Sequence, residues 1–364
     1  MGDGPLRAAF FHVCRGESSY AQVIRMNGFT HLSVDGFRRL CGIELELRPQ
    51  SPCVMIGANG SGKTSLLEVF SLLSASVLGK LDERISDLSG VAAIQTAGYP
   101  ADIVCEIAGN QDPDGVEVYR LDVAPSGTAY TDKSGFRPLK RFRYTEREDF
   151  KKRLASLILY HILDVGPRSR IRLPQPMRPA KLPGKDGEDL ITCLYDMRET
   201  DRDRFDAVQD ALRAAFPGFE RLDFPPVAAG TLSMIWRDRR FREGFYPHQL
   251  SEGTLRFLWL AALLQSPGLP AITLIDEPEV SLHPELLSIL AELLREASLR
   301  SQIFVATHSD RLVRFLQPKE VLVFDLGDDG LAKITWADQL DLDQWLDEYS
   351  LDEVWQMGRL GGRA

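Results

Sequence analysis

The chain has 364 residues, which is long enough for a sizeable hydrophobic core and for either two lobes or one elaborated domain. Apolar residues make up 44% and charged residues 26%, a composition typical of folded globular proteins and unlike that of disordered or collagen-like chains. The 43 basic and 52 acidic side chains give a formal net charge of −9, which excludes binding to nucleic acid through a uniformly basic surface.

The N-terminal part of the chain predicts strands that lead into one glycine-rich turn. Residues 22–26 and 42–47 mix apolar and polar side chains as half-buried strands do, and 53–56 is a short apolar run typical of a buried strand. The apolar residues then recur with the period of a helix over 65–78. A strand, a turn and a helix are therefore expected in direct succession. Residues 91–124 predict further strands, joined by an Asp-Pro-Asp-Gly turn.

The charge is concentrated in one segment. Residues 137–185 contain 14 Lys and Arg against four acidic residues, a local charge of +10 that leaves −19 for the rest of the chain. Five prolines between 166 and 184 predict an extended excursion, and 188–216 predicts a helical stretch. Clustered Lys and Arg neutralise phosphates whatever the net charge of the chain, so this segment is a candidate contact for DNA. The alternative is a surface insertion that binds nothing.

Beyond residue 250 the pattern becomes an alternation of helices and strands, which predicts a parallel α/β sheet. A helix follows Ser251, a strand covers 272–275, a helix covers 284–297 and a strand covers 302–306. In the last part of the chain, 338–353 holds seven acidic residues and no base, interleaved with apolar residues. Two interpretations of this tail remain open: an element that docks a partner, or a helix packed on the chain's own core.

The glycine-rich turn matches G-x-x-x-x-G-K-[ST] in full, from Gly57 to Thr64. Its position between a strand and a helix is the one a P-loop requires, because the curled backbone and the helix N-terminus then direct N–H groups at the β-phosphate of ATP. Lys63 adds a mobile positive charge between the β and γ positions, and the Thr64 hydroxyl is a ligand for Mg²⁺. The predicted ATP-binding residues are Gly57, Asn59, Gly60, Ser61, Gly62, Lys63, Thr64 and Ser65.

The strand at 272–275 ends in two adjacent carboxylates, Asp276 and Glu277. In a P-loop fold we expect this strand to lie beside the P-loop strand, so that Asp276 ligates Mg²⁺ together with Thr64. Glu277 then faces the γ-phosphate, where a carboxylate orients and polarises the attacking water. The alternative is that the two carboxylates begin a solvated turn before Pro278.

Two more motifs bracket this strand: Leu250-Ser-Glu-Gly-Thr254 precedes it, and Thr307-His308-Ser-Asp310 follows it after one helix and one strand. The P-loop, a signature, an Asp-Glu pair and a switch histidine occur in the order found in ABC-class ATPases. The Glu-Pro-Glu sequence at 277–279, the Ser-Leu-His-Pro loop at 281–284 and the acidic signature resemble RecF/SMC/OLD-like ATPases rather than membrane transporters. The residues at 349–362 also resemble the end of predicted bacterial RecF-like ATPases.

The resemblance implies an α/β P-loop NTPase of the ABC-ATPase type, with a mixed or parallel sheet and an inserted helical lobe. The implied division is an N-terminal half of the ATPase head at 1–135, a basic lobe at 136–245, a C-terminal half at 246–335 and an acidic tail at 336–364. It also implies Mg²⁺-dependent ATP hydrolysis in a head-to-tail homodimer, with ATP between the P-loop of one subunit and the signature residues Ser251, Glu252 and Gly253 of the other. Glu277 and His308 are then the catalytic residues.

The match departs from the family in several places. Glu252 stands where transporters have glycine, and its charge would repel a triphosphate unless the side chain points away; we interpret it as a marker of the DNA-repair branch. The only nearby candidate for the family's Q-loop glutamine is Gln95. Arg38 or Arg39 resembles a phosphate-contacting residue of the family's N-terminal segment, with an ordinary exposed base as the alternative.

Two functions remain open on these motifs. The first is an ATPase that dimerises on ATP and acts on or senses DNA in repair or in defence against phages or plasmids. The second is a nucleotide-gated protein that controls a separate toxin or nuclease subunit. The roughly 55 residues after His308 are too few for the Toprim nuclease of OLD-type relatives, and the absence of heptads predicts no SMC coiled coil.

The cellular setting is predicted from what the sequence lacks. The five cysteines are spaced irregularly without a C-x-x-C pair, which favours neither a disulfide framework nor a zinc site. The early apolar run at 6–13 is interrupted by Arg7 and His12, and no run approaches the roughly 18 apolar residues of a membrane helix. We therefore expect a cytoplasmic protein with no membrane partner.

Overall fold

The computed structural model of the chain describes residues 28–99, 102–112, 115–126, 129–136, 144–228, 230–346 and 348–361. The strand predicted at 22–26, residues 137–143 of the basic segment and the centre of the turn predicted at 112–115 lie outside the described residues.

The described strands are β1 Phe29–Asp35, β2 Ile43–Glu46, β3 Cys53–Gly57, β4 Ile103–Asp112, β5 Gly115–Ser126, β6 Ala129–Phe136, β7 Ile158–Tyr160, β8 Gln175–Pro176, β9 Phe219–Asp223, β10 Pro226–Ala228, β11 Thr231–Leu232, β12 Ile235–Asp238, β13 Ile272–Asp276, β14 Gln302–Ala306, β15 Val321–Leu326 and β16 Ala332–Trp336. The described helices are α1 Lys63–Val77, α2 Leu81–Asp87, α3 Val91–Ile94, α4 Tyr144–Ala155, α5 Leu190–Thr200, α6 Arg202–Ala215, α7 Glu252–Gln265, α8 Leu286–Ser298, α9 Asp310–Val313, α10 Asp343–Leu346 and α11 Leu351–Gln356.

A six-stranded mixed sheet carries the predicted P-loop strand. Its order is β16-β15-β3-β14-β13-β7, and the strands from β15 to β7 are parallel while β16 is antiparallel. The expectation that β13 lies directly beside β3 is wrong, because β14 lies between them and pairs with both. Every residue of β14 is buried, as is typical of a strand with neighbours on both edges and layers on both faces.

The alternation of side chains in this sheet feeds two hydrophobic cores. Cys53 and Met55 of β3 face a core that also contains α1 and the five-stranded antiparallel sheet β2-β1-β4-β5-β6. Val54 and Ile56 face the opposite core, which contains α5 to α8. Because successive residues of a strand point to opposite faces, the P-loop strand is fixed from both sides.

The predicted inserted lobe is partly interwoven with the main sheet. Strand β7, at 158–160, falls inside the 136–245 interval, yet it pairs in parallel with β13 and forms the edge of the main sheet. Its Leu159 and Tyr160 are buried, so the short apolar run joins the main sheet because pairing there removes it from water. The helical stretch predicted at 188–216 is two helices, α5 and α6, separated at Asp201, whose carboxylate accepts the Arg204 amide.

The acidic tail packs on the chain's own core. Its buried apolar residues belong to the same core as α5 to α8: Leu342, Leu351, Val354, Trp355 and Leu360. Helix α11 packs on α9, and the Gln356 side chain donates to Asp310 at 2.8 Å. Of the two interpretations of the tail, intramolecular packing is the one observed in the described residues.

Candidate functional site

The P-loop joins β3 to α1, and two of its positions accept only glycine. Gly62 has φ of 112° where α1 begins. A Cβ on Gly57 would lie 2.3 Å from the carbonyl oxygen of Phe324 on the adjacent strand β15, closer than non-bonded atoms approach. Because the first N–H groups of a helix have no partner within it, the start of α1 offers backbone donors to an anion.

The P-loop side chains divide into exposed and buried groups. Asn59 and Thr64 are exposed, whereas Ser61 and Ser65 are buried, and the Ser61 hydroxyl has no hydrogen-bond partner among the described residues. Lys63 is buried, and its ammonium donates to the carbonyl oxygens of Gly57 at 2.7 Å and of Ala58 at 2.9 Å. The lysine is thus folded over the loop rather than extended into solvent.

Strands β3, β14 and β13 are parallel, so the residues that follow them meet at the same end of the main sheet. The charges of Lys63, Asp276 and Glu277 interact there. Burial lowers the pKa of Lys63 to about 8, although the nearby carboxylates of Asp276 and Glu277 oppose the shift. Glu277 adopts the left-handed backbone conformation with φ of 50°, and its amide donates to the Ala306 carbonyl at the end of β14 at 2.8 Å. The Asp-Glu pair therefore ends a strand as part of this site and is not a freely solvated turn.

The predicted switch histidine lies beside the second carboxylate. His308 Nε2 is 3.7 Å from Glu277 Oε1. Burial lowers the pKa of His308, the Lys63 charge lowers it further, and Glu277 opposes the shift, so the ring is mainly neutral at pH 7.

Glu279, the second glutamate of the Glu-Pro-Glu sequence, fixes the segment that carries the histidine. Its Oε1 accepts the Thr307 hydroxyl at 2.5 Å and the His308 amide at 3.2 Å. Burial raises the pKa of Glu279, and the hydrogen bond from Thr307 opposes that shift. The Thr307 amide also donates to the Met55 carbonyl of β3 at 3.0 Å, so the segment is tied to the P-loop strand as well.

His161 belongs to this site although no motif predicted it. The register that pairs Tyr160 with Ile275 puts the next residue, His161, beside Asp276, and its Nδ1 is 3.8 Å from Asp276 Oδ2. The available signal was the apolar run of β7 followed by a polar residue. Gln95, the candidate for the Q-loop glutamine, pairs instead with Phe37 through an isolated bridge.

The N-terminal arginines are used inside the fold. Arg38 forms an ion pair with Glu68 and lies 3.5 Å from the Ser65 hydroxyl, next to the first turn of α1. Arg39 donates to the Gly330 carbonyl at 2.7 Å. Of the two, only Arg38 lies close to a predicted ATP-binding residue in these contacts.

The signature motif opens α7 at the surface. Ser251 is the N-cap, its hydroxyl accepts the Thr254 amide at 3.2 Å, and both Ser251 and Glu252 are exposed. A Cβ on Gly253 would lie 2.6 Å from the Ser281 carbonyl, so the signature glycine packs directly on the loop that follows the Asp-Glu pair.

Much of the positive charge at 137–185 is paired within the described residues. Arg178 binds Asp189 and Lys181 binds Asp196, with shortest distances of 2.6 and 2.7 Å. Arg172 donates to the carbonyl oxygens of Val165, Pro247, His248 and Leu250, at 2.8, 3.1, 3.4 and 2.9 Å. Arg172 therefore holds the loop that enters the signature motif rather than facing a ligand.

The residues of the site include two oxygen donors of the kind that Mg²⁺ prefers. No group of three or more His, Cys, Asp or Glu within the described ranges is arranged to hold a metal ion. Mg²⁺ in nucleotide sites needs only one or two protein oxygens, with substrate phosphates and waters as the other ligands. The exposed Thr64 hydroxyl and the Asp276 carboxylate fit that requirement.

A comparison with protein families gives the relationship. The family model described as "AAA domain, putative AbiEii toxin, Type IV TA system" matches residues 118–314, which is more than half of the chain. The chain belongs to this AAA-domain family. The matched span contains the signature, both carboxylates and His308, and it begins after the P-loop. A search of curated proteins finds no match.

Solved structures of SMC heads share the fold of this AAA-domain protein. An SMC head bound to the C-terminal winged-helix domain of ScpA is 18% identical with a TM-score of 0.57, covering 85% of this chain and 97% of that one. A Pyrococcus furiosus Smc head with an extended coiled coil is 15% identical with a TM-score of 0.57, covering 91% and 98%. The Thermotoga maritima SMC head is 15% identical with a TM-score of 0.51, covering 85% and 98%.

These findings confirm the predicted class and fold. The chain belongs to the AAA-domain family and has the mixed α/β fold of SMC heads, as expected for the predicted SMC/RecF-like ABC class. None of the helices in the described ranges has the length and apolar character needed to cross a bilayer.

Proposed function

We propose that the protein hydrolyses ATP at the P-loop edge of the main sheet and that its ATP-bound form dimerises head to tail. The observation that carries the proposal is the meeting of Lys63, Asp276, Glu277 and His308 at the carboxyl ends of β3, β13 and β14. An ammonium, two carboxylates and an imidazole near a helix N-terminus can together bind phosphates and Mg²⁺, orient water and stabilise the charge that develops in phosphoryl transfer.

Each residue then has a defined task. The amides at the start of α1 and the Lys63 ammonium bind the β- and γ-phosphates of the substrate, for which Lys63 leaves the carbonyls of Gly57 and Ala58. Thr64 and Asp276 hold Mg²⁺, which screens the charge of the phosphate oxygens when bound. Glu277 orients the attacking water, and His308 contacts the γ-phosphate.

The position of the signature supports the proposed dimer. Ser251 and the amides at the exposed start of α7 form an anion-binding helix end, which acts on the γ-phosphate held by a second copy. Glu252 lies beside this end and is exposed, so its carboxylate can remain in solvent. Gly253 packs on the loop after Glu277, which connects the signature to the Asp-Glu pair of the same subunit.

Two substitutions test the catalytic assignment. Glu277→Gln is expected to retain ATP binding and to accumulate an ATP-bound dimer, because only the group that activates water is removed. Lys63→Ala is expected to abolish ATP binding and with it the dimer. Fluorescent ATP binding, light scattering and phosphate release measure the three properties. A Glu277→Gln protein that hydrolyses ATP at the wild-type rate contradicts the assignment.

For the biological role we propose action on DNA, in repair or in defence against phages or plasmids. The exposed residues Arg168, Arg170 and Lys185 of the basic segment support it, since they belong to no ion pair among the described residues. The second candidate is control of a separate toxin or nuclease subunit. It is motivated by the toxin–antitoxin term in the family description and by the ScpA fragment bound to a matched SMC head.

ATPase rates separate the two candidates. If DNA is the ligand, single-stranded or duplex DNA stimulates hydrolysis, and the stimulation declines as salt rises. If a subunit is the ligand, DNA leaves the rate unchanged, and a stoichiometric partner co-purifies from the native host. Neither candidate gives this chain a nuclease activity of its own, so cleavage of DNA by the purified chain with Mg²⁺ or Mn²⁺ contradicts both.

A further inference from the structure

An exposed hairpin lies directly before the signature motif. Strand β12 continues into a turn at 239–242, and the chain returns so that Trp236 and Phe245 exchange both backbone hydrogen bonds, at 2.8 and 2.9 Å. The turn reads Arg-Arg-Phe-Arg, and all four of its residues are exposed. We call residues 239–242 the hairpin tip.

One arginine of the hairpin tip maintains its shape. Arg240 makes a two-pronged pair with Asp238, at 2.9 Å from Nε and 2.7 Å from Nη2, and its guanidinium covers Gly218, where a Cβ would lie 2.4 Å from Nη2. The Arg239 amide donates to the Gly218 carbonyl at 2.9 Å. The backbone of the tip is therefore fixed on the strand β9 side of the lobe.

The guanidinium groups of the other two arginines do not hold the tip in place, although the Arg239 amide does. Arg239 and Arg242 have no ion pair with any residue that the structure describes. Between them stands Phe241, whose exposed fraction of 56% is the largest among the described large apolar residues with substantial exposure. Two unpaired guanidinium groups thus flank an exposed aromatic ring on a fixed turn.

Two pairs of aromatic rings lie along the chain between the tip and the signature. Phe241 packs edge-on against Phe245 with ring centres 5.2 Å apart, and Tyr246 is stacked on His248 at 5.9 Å. Tyr246 is 39% exposed. The second pair leads into the loop that Arg172 holds, and the Arg170–Arg172 turn packs against that loop.

We propose that the hairpin tip binds a nucleic-acid strand, with Arg239 and Arg242 on phosphates and Phe241 stacked on an unpaired base. This inference rests on the proposed DNA function and names its contact surface. Guanidinium groups bind phosphates in a two-pronged manner, and every base offers a face for stacking whatever the sequence. An acidic protein surface would account for the two charges but not for the exposed ring between them.

The test measures binding of one labelled oligonucleotide, single-stranded and as a duplex, by fluorescence anisotropy over a salt series. The proteins are wild type, Arg239→Glu/Arg242→Glu, Phe241→Ala, and a control with the same change in charge on α6, Arg202→Glu/Arg213→Glu. A thermal melt of each variant checks that it is folded.

We expect the tip reversal to weaken single-strand binding and to lower the salt slope by about 0.7 for each phosphate that is no longer neutralised, with the α6 control unchanged. Phe241→Ala is expected to weaken single-strand binding about five-fold or more and to affect the duplex less. If wild type binds DNA and the folded tip reversal binds with the same affinity and salt slope, the tip assignment is wrong while the DNA function stands. If wild type binds neither oligonucleotide, the DNA function fails and the tip assignment with it.

Discussion

Removal of the Arg172 side chain is expected to loosen the loop that leads into the signature motif. The guanidinium donates to one carbonyl of its own segment and to three carbonyls of that loop, at 2.8 to 3.4 Å. A hydrogen bond from a charged donor contributes about 1.5–3 kcal/mol net. Because Arg172 is half-buried and its hydrogen bond to His248 is long, we expect Arg172→Ala to lower the free energy of unfolding by about 2–4 kcal/mol.

The expected change in melting temperature follows from the length of the chain. At about 2.1 cal/mol/K per residue, unfolding of 364 residues carries an entropy of about 0.76 kcal/mol/K, so the decrease in stability corresponds to about 3–5 °C. Differential scanning calorimetry measures it. Arg172→Lys is the matched control for charge, because an ammonium keeps the charge but cannot reach four carbonyls with the fixed fork of a guanidinium. We expect it to recover less than half of the decrease.

A second readout separates positioning of the signature from general stability. Well below the melting temperature, and at concentrations where the protein is monomeric, Arg172→Ala should bind ATP with wild-type affinity because the P-loop is untouched. At higher concentrations it should form less of the ATP-dependent dimer in a Glu277→Gln background. Fluorescent ATP titration and analytical ultracentrifugation measure the two properties. An Arg172→Ala protein with an unchanged melting temperature and an undiminished dimer refutes the reasoning.

Three further substitutions probe the P-loop, the ion pair between α8 and the residue before β15, and the packing of the tail. Gly57→Ala forces a Cβ to within 2.3 Å of the Phe324 carbonyl, so we expect a loss of ATP binding, checked by titration, and a lower melting temperature. Arg295→Ala leaves the buried Glu320 without its two-pronged partner at 2.7 and 2.8 Å, and chemical denaturation should show a destabilisation of about 3–5 kcal/mol. Trp355→Ala removes a buried indole of the tail, so we expect a destabilisation of about 3–5 kcal/mol. An unchanged unfolding midpoint would contradict the packing of the tail on the core.

Local patterns predicted the elements of the site well because their causes are local. Strand β14 occupies the predicted residues 302–306, and Ser251 caps α7 as its side-chain chemistry requires. The P-loop glycines have the conformations that their motif implies.

The arrangement of those elements was less predictable. Strand order depends on which buried edges pair across long stretches of chain, and no periodicity encodes that β14 lies between β3 and β13. Strand β7 has only three residues inside a segment dominated by its charge, so composition does not reveal that it belongs to the main sheet or that His161 lies in the site.

The basic segment shows the same limit, because only the folded structure reveals which of its charges are paired. The count of Lys and Arg at 137–185 combines groups that do different things in the folded chain. Arg172 binds backbone carbonyls and Arg178 binds a carboxylate, whereas Arg168 and Arg170 remain exposed. The unpaired Arg239 and Arg242 of the hairpin tip lie outside the segment altogether. Charge along the sequence therefore indicates a ligand less well than the charge left after intramolecular pairs are removed.

If the hairpin tip binds DNA and the signature binds ATP across a dimer, the two sites are joined by the short loop that Arg172 holds. Coupling between two ligands is reciprocal: a factor by which ATP tightens DNA binding must equal the factor by which DNA tightens ATP binding. Glu277→Gln allows both to be measured without turnover, with DNA affinity determined with and without MgATP, and ATP affinity with and without the oligonucleotide. We expect equal factors of about 5 to 150, and a smaller factor when Arg172→Ala frees the loop. DNA and ATP that bind independently in the folded Glu277→Gln protein would show that this loop does not connect the tip to the signature.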